Sequence, residues 1–416
     1  MGLGFVLVPL TLRTVTVSEY GIWLTVASFI GWFSFFDIGL GNGLRNKFAE
    51  ALAKNQRELA RVYVSTTYTV MLVIAATLSA IFFTVQSFIQ WQNFFNAPDS
   101  SASDLMLLIP IVFLLFAIQF VIQLIITILL ADQRAAITNV IGLFGTILTV
   151  IGILFLERLN AGSVLTLGIV FMASPVIVLC VTHVVMFTGR YRDLAPSFRY
   201  VNFRHAKELA NLGSQFFFIQ IAVVILFSTS NMIIIHFFGP KEVTEFNIAF
   251  KYFNVITSMF VLVATPFWSA ITDAYHRNDL AWISRSIKKL TFVWIGFSVA
   301  AVIMLFFADT LYHVWIGDTI TVPASVSMAM CVFVILSNWS SIFAMFLNGT
   351  GKIRLQLYSA IFVSIINIPL SIVLLSIVGL YGVLLSSIIC VGIGSTWGPI
   401  QYHKIMTNTA TGIWSR

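Results

Sequence analysis

Lys251 stands in a run of Phe, Ile, Val and Met, and its neighbours at helical spacing are polar. Asn247, Lys251, Asn254 and Ser258 follow one another at intervals of 4, 3 and 4, which puts them on one face of a helix. A cation flanked by amides is chemistry for an anion such as a phosphate, and amides alone suit hydroxyl groups. A lysine at the centre of a bilayer costs roughly 2.5–3.5 kcal/mol, so one that persists there usually faces a cavity or a partner. The competing reading is that Lys251 lies near enough the end of its span to reach the headgroups. The acidic counterpart is Asp37, in Phe35-Phe36-Asp37-Ile38-Gly39-Leu40-Gly41-Asn42-Gly43. The glycines and Asn42 there permit close helix approach or local unwinding, so Asp37, Asn42 and Arg45 are candidates for coupling or gating. A structural cap or an interhelical hydrogen bond is the alternative role for Asp37.

These residues need a membrane bundle to position them. Hydrophobic residues make up 59% of the 416 and charged residues only 9%, against roughly 25% charged in a soluble domain. Apolar runs between charged breaks predict spans near 20–43, 62–90, 104–130, 136–156, 163–187, 211–238, 245–270, 290–310, 323–347, 356–378 and 381–402. The stretch Met1 to Leu12 is apolar but about half the length of a span, so it reads as the outer half of an incomplete first helix. The expected fold is therefore an all-α polytopic membrane protein of about twelve transmembrane helices, the first apparently truncated.

The basic residues set the orientation. Arg45, Lys47, Lys54, Arg57, Arg61, Arg134, Arg190, Arg192, Arg285, Lys288, Lys352 and Lys404 fall on one side of this arrangement, while Arg13, Arg158 and Lys241 fall on the other. The richer side is cytoplasmic by the positive-inside rule, which places both termini in the cytoplasm. The net charge of +7 is thus a topology signal rather than a sign of nucleic acid. A weak internal repeat accompanies it: Glu50-Ala51-Leu52-Ala53-Lys54-Asn55 is echoed by Asp273-Ala274-Tyr275-His276-Arg277-Asn278, six spans later. An even separation gives two parallel six-helix lobes with a site between them. The expected division is a lobe at 1–190, a cytoplasmic linker at 191–210 and a second lobe at 211–416.

Other chemistry is poorly represented. Asn348-Gly349-Thr350-Gly351-Lys352-Ile353 lacks the first glycine and the Ser/Thr of a phosphate-binding loop. The six histidines show no metal-ligand spacing, and the three cysteines form no framework. No metal, cofactor or catalytic residue is expected. The longest outer loop, Trp91 to Asp104, is about 14 residues, too short for the catalytic module of a membrane polymerase. Asn231, Gln215 and Asn338 join Lys251, Asn247 and Asn254 as candidate cavity residues. Gln119 and Gln123, like His183 and Asn367, read first as helix glue. Pro110, Pro175, Pro266 and Pro369 are expected within or near spans.

Three segments together carry a family resemblance: Asp37 to Arg45, Thr265-Pro266-Phe267-Trp268-Ser269-Ala270 with Asp273-Ala274, and Leu347 to Ile353. In their order, spacing and places at helix ends they resemble the O-antigen and capsular polysaccharide flippases of the multidrug/oligosaccharidyl-lipid/polysaccharide exporter superfamily. The resemblance implies a two-lobed bundle in the bacterial inner membrane that moves undecaprenyl-diphosphate-linked oligosaccharide to the periplasmic leaflet by alternating access. Its partners would be that lipid-linked substrate, the bilayer and other polysaccharide assembly proteins. Competing readings are a drug/cation antiporter of the same superfamily, served by Asp37, a membrane polysaccharide polymerase, and a purely structural assembly partner.

Overall fold

The computed structural model describes residues 2–37, 39–132, 134–204, 229–317 and 320–415. Among these residues there is no strand. Among the described residues, nine helical stretches are long and apolar enough to cross a membrane. The chain separates into two compact units, Met1–Ile221 and Ala222–Arg416.

The first unit opens with α1 (Gly2–Thr14) and α2 (Val17–Trp32). Thr16 starts α2 with a capping box, its hydroxyl accepting from the Glu19 amide while Glu19 accepts from the Thr16 amide at 2.8 Å. The stretch expected as one span at 20–43 is broken. A 3-10 turn covers Phe33–Asp37, Gly39 adopts the left-handed conformation at φ 74°, and α3 (Leu40–Ala53) begins afresh. A residue with a Cβ is disfavoured at that angle, so the Gly39 of the motif is where the chain turns. After α4 (Arg57–Val85) and the short α5 (Trp91–Phe94) comes a second interruption. The span expected at 104–130 is α6 (Ala102–Ile122) and α7 (Leu124–Ala131), joined at Gln123. There the Ile126 amide bonds back to the Gln123 carbonyl, three residues away, at 2.9 Å.

Helices α8 (Ala135–Leu159) and α9 (Val164–Thr188) follow, and α9 packs on both α6 and α8. Close approach depends on small residues, as expected where lipid supplies no hydrophobic drive. A Cβ on Gly168 of α9 would lie 2.4 Å from Leu108 and 2.9 Å from Trp23. Residues 191–202, read from the sequence as part of a linker, lie along α4. Ser197 N donates to Ser65 Oγ at 3.1 Å and Asn202 N to Thr66 Oγ1 at 3.0 Å. Arg61 donates to the Ala195 carbonyl at 3.1 Å, and its guanidinium sits 4.2 Å from the centre of the Tyr200 ring.

In the second unit, α10 is described over residues 229–237 and is followed by the 37-residue α11 (Pro240–His276). Then come α12 (Leu280–Phe306), the short α13 (Ala308–Ile316), α14 (Ala324–Thr350), α15 (Arg354–Val378) and α16 (Tyr381–Met406). Helix α14 is central, packing against α11, α12 and α16. The expected prolines Pro110, Pro175, Pro266 and Pro369 all stand inside helices.

The sequence echo has a shared geometry. Asn55 and Asn278 both take positive φ, 55° and 59°. In each copy the next amide bonds to the carbonyl of the repeat's first alanine, Gln56 to Ala51 and Asp279 to Ala274. This is the six-to-one closure of a helix C-terminus with Asn in the left-handed position. Asn160 and Asn408 close α8 and α16 in the same way. The shared turn is thus a helix-ending device this chain uses repeatedly, and it does not by itself establish duplication.

Candidate functional site

Polar residues gather at one place in each unit. In the first, the break between α2 and α3 turns the Asp37 carboxylate toward the start of α3. Gly41 N donates to it, at 3.0 Å to Oδ1 and 3.4 Å to Oδ2. A carboxylate at a helix N-terminus satisfies an amide that has no partner within its own helix and meets the positive end of the helix dipole. The structural role weighed for Asp37 is therefore realised. The same carboxylate also lines an open cavity of about 270 Å³, with Gly41, Gln119, Gln123, Thr127 and Met71. Gln119 and Gln123, read from the sequence as glue, come to Asp37 because the interruption at Gln123 lies beside the interruption at 33–39. Thr127 was not singled out. Its one signal is that it continues the i, i+4 row of Gln119 and Gln123. Two interrupted helices meeting at a polar cavity is an arrangement transporters use to expose backbone and side-chain groups to a solute. Arg45 is exposed on α3 and is not among the lining residues. The backbone of Asn42 belongs to α3, and its side chain lies outside the described structure.

In the second unit, the predicted face of α11 is realised as a half-buried stripe of Asn247, Lys251, Asn254 and Ser258. The core side of the same helix is given by Thr244, Ile248, Phe253, Ile256, Phe260 and Ala264, all at most 4% exposed. Asn247 donates one N–H to Asn231 Oδ1 at 2.9 Å and the other to the Val243 carbonyl at 2.8 Å. Two of the candidates from separate helices are thereby clamped together. The clamp uses both amide donors of Asn247 and leaves its Oδ1 as an acceptor. Asn338, on α14, is 1% exposed, and its Oδ1 has no hydrogen-bond partner among the described residues. Gln215 lies outside the described residues. A neighbouring polar network escaped the sequence reading: Tyr252 donates to the Met304 carbonyl at 3.0 Å, and the Tyr312 hydroxyl lies 3.1 Å from Ser327 Oγ. Tyrosines inside apolar runs carry no periodic signal that separates them from packing aromatics.

Where α7 ends, Asp132 collects a fan of donors. The Tyr191 hydroxyl donates to it at 2.7 Å, Arg134 at 2.9 Å and Arg190 at 3.3 Å. Burial pushes this carboxyl up, but the hydrogen bonds from Tyr191 and Arg134 and the charges of both arginines outweigh it and hold it below the usual carboxylate range. Burial, then the bond to Asp132, raises the Tyr191 hydroxyl to about 12.

Among the described residues, no group of His, Cys, Asp and Glu is placed to hold a metal ion. Interrupted helices around a polar pocket, in a multi-pass membrane protein with no strand among its described residues, are an arrangement that solute transporters use. Residues 216–373 match the MatE family model. The fold is that of the MATE transporters of the MOP superfamily. The chain is similar to an inward-facing multidrug resistance transporter of that group with a TM-score of 0.76, at 15% identity and over 96% of each chain. An outward-facing structure from the same group gives 0.60 at 16% identity, covering 98% of this chain and 95% of the other. A Salmonella typhi protein named for O-antigen transport is 20% identical over 85% of this chain and 81% of its own. A Yersinia pseudotuberculosis protein named for O-antigen export is 21% identical over 84% of this chain and 80% of its own. The resemblance carried by the three motifs is borne out.

Proposed function

We propose that this protein is a flippase of the bacterial inner membrane, with both termini in the cytoplasm. It carries undecaprenyl-diphosphate-linked O-antigen or polysaccharide repeat units from the cytoplasmic to the periplasmic leaflet by alternating access. The two lobes would be residues 1–190 and 211–416, joined by the linker 191–210. The observation that carries this reading is the α11 stripe, in which Lys251 stands one turn from the Asn247–Asn231 clamp. Its chemistry matches the cargo: an ammonium for the diphosphate, amides for the sugar hydroxyls. The names of the sequence relatives support the same cargo. Moving about two negative charges outward across an inside-negative membrane is favoured by roughly 5 kcal/mol per 100 mV. No ATP site is needed for a driving force of that size, and Asp37 is the group we assign to ion coupling.

The experiment is replacement of Lys251 in a strain whose own flippase is deleted. Lys251→Ala is expected to abolish surface display of O-antigen while the protein stays in the membrane, and Lys251→Arg is expected to keep part of it. Wild-type display from a correctly inserted Lys251→Ala protein would overturn the assignment.

A second reading, a drug/cation antiporter, is favoured by the acidic cavity at Asp37 and by the multidrug transporters among the structural neighbours. It predicts that Asp37→Asn removes drug resistance and that Lys251→Ala leaves it intact.

A further inference from the structure

The connection between α4 and α6 holds a second pocket, at the end of the first unit where the sequence carries no Lys or Arg from Val62 to Gln133. Its volume is about 490 Å³, inside the roughly 300–1,000 Å³ range of small-ligand sites. Gln86, Ser87, Gln90, Trp91, Gln92 and Asn93 line it, with Ala102 and Met106 at its edge. Every lining side chain is neutral. Two acids of the same connection stand outside the lining: Asp99 accepts from the lining Gln92 and so uses one of its amide donors, and Asp104 accepts from the Leu165 amide near the start of α9.

The pocket has a fixed floor. Trp91 is 6% exposed and Phe95 fully buried. Phe29 meets their rings edge-on at 5.9 and 5.8 Å, and Phe82, which stacks on Trp91 at 6.0 Å, is itself stacked on Phe113 at 3.7 Å. On this base the amides are oriented rather than loose. Asn93 donates to Gln90 Oε1 at 2.6 Å, which leaves the Gln90 amide donors and the Asn93 carbonyl for a ligand. Gln86 makes no side-chain hydrogen bond within the described residues.

Just beyond the pocket the surface turns apolar and exposed. Ile81, Phe83 and Val85 on α4 and Met106, Leu107 and Leu114 on α6 are between 39% and 71% exposed, the lipid-facing band of a membrane helix pair. Phe88 is 84% exposed at the level of the pocket itself. A neutral amide shelf bordering a lipid-facing band suits the uncharged, hydroxyl-rich sugars of a lipid-linked ligand, with any phosphate that joins them to the lipid lying outside the lining. Phosphate headgroups would want a cation, and the lining has none.

We propose that this pocket is a glycan-binding site, holding the neutral sugars of a lipid-linked oligosaccharide on the side of the membrane opposite the basic loops. The flippase reading supplies the identity of the glycan and its leaflet; the class of ligand follows from the lining alone. The site would retain the headgroup after passage and so disfavour its return.

The test uses the purified full-length protein in nanodiscs and saturation-transfer NMR, with soluble repeat-unit oligosaccharide released from the host's lipid-linked fraction as probe. Wild type is expected to saturate the sugar protons. The Gln86→Ala/Gln90→Ala/Asn93→Ala variant is expected to bind about tenfold more weakly, since two or three neutral hydrogen bonds are lost. Ala102→Trp, which fills the pocket without removing an amide, should do the same. Lys54→Ala, at the opposite end of α4 from the pocket and in neither proposed site, should leave the signal unchanged. Binding by the triple variant and by Ala102→Trp equal to wild type overturns the inference. So does the absence of any glycan signal in wild type, with pocket amide resonances responding only to glycan-free phosphatidylethanolamine. Weakened binding in the triple variant and in Ala102→Trp, together with wild-type display from Lys251→Ala, would uphold the site and sink the cavity assignment instead.

Discussion

Replacing Asp37 separates its two roles, because Ala removes both the acceptor and the charge while Asn removes only the charge. The carboxylate accepts from Gly41 N at 3.0 Å and caps the start of α3. Losing such a cap costs about 0.5–2 kcal/mol, and losing only the charge at the helix N-terminus costs about 0.3–1 kcal/mol. For a unit of the size of Met1–Ile221, each kcal/mol lowers the melting temperature by about 2–4 °C. Asp37→Ala is therefore expected to melt about 1–8 °C below wild type, and Asp37→Asn about 1–4 °C below. The assay is thermal unfolding of the purified protein followed by tryptophan fluorescence, with flipping in proteoliposomes as the second readout. Under imposed pH gradients and potentials, Asp37→Asn should keep net flipping but lose its response to the pH gradient, because Asn cannot titrate. An Asp37→Ala protein as stable as wild type would refute the cap. A pH-gradient response surviving in a folded Asp37→Asn protein would refute coupling through this carboxylate.

Other outcomes follow from single contacts. Asn247→Leu should release Asn231 and reduce O-antigen display several-fold, whereas Asn247→Gln, which keeps amide donors, should retain more of it; display is read on lipopolysaccharide gels. Gly382→Ala should destabilise the second unit by about 1–3 kcal/mol, because a Cβ there would lie 2.5–2.6 Å from the backbone of Leu374 and Leu375; a melting curve checks it. Asp132 and Tyr191 give opposite pH limits. The depressed Asp132 carboxyl contributes stability that is complete above its usual range and is lost as pH falls through its lowered value. The raised Tyr191 hydroxyl contributes stability that is complete below pH 10 and is lost as pH rises to about 12. Tyr191→Phe should weaken both the alkaline limb, to which other buried tyrosines also contribute, and the acid one, as read from unfolding at a series of pH values.

What could be read without the structure was local or compositional. Hydropathy alone makes this a membrane helix bundle, since apolar runs of that length have no other solvent. The 4-3-4 spacing of Asn247, Lys251, Asn254 and Ser258 fixes a common face because helical geometry repeats every turn. The glycines after Asp37 permit local unwinding, because only glycine turns left-handed without strain, but the break itself and the helix-ending role of Asn55 and Asn278 come from the structure. Tertiary structure alone decided which faces meet. Asp37 and Thr127 share a cavity although 90 positions separate them. Asn231 reaches Asn247 across a helix turn, and residues 195–202 lie along α4 more than 130 positions away. Gln119 and Gln123 read as glue until the break beside them was seen to face the break at Asp37. Such encounters depend on the rotation and register of one helix against another. Those are set by close contacts such as Gly168 against Leu108 and Trp23, and hydropathy, which sees only one helix at a time, carries no record of them.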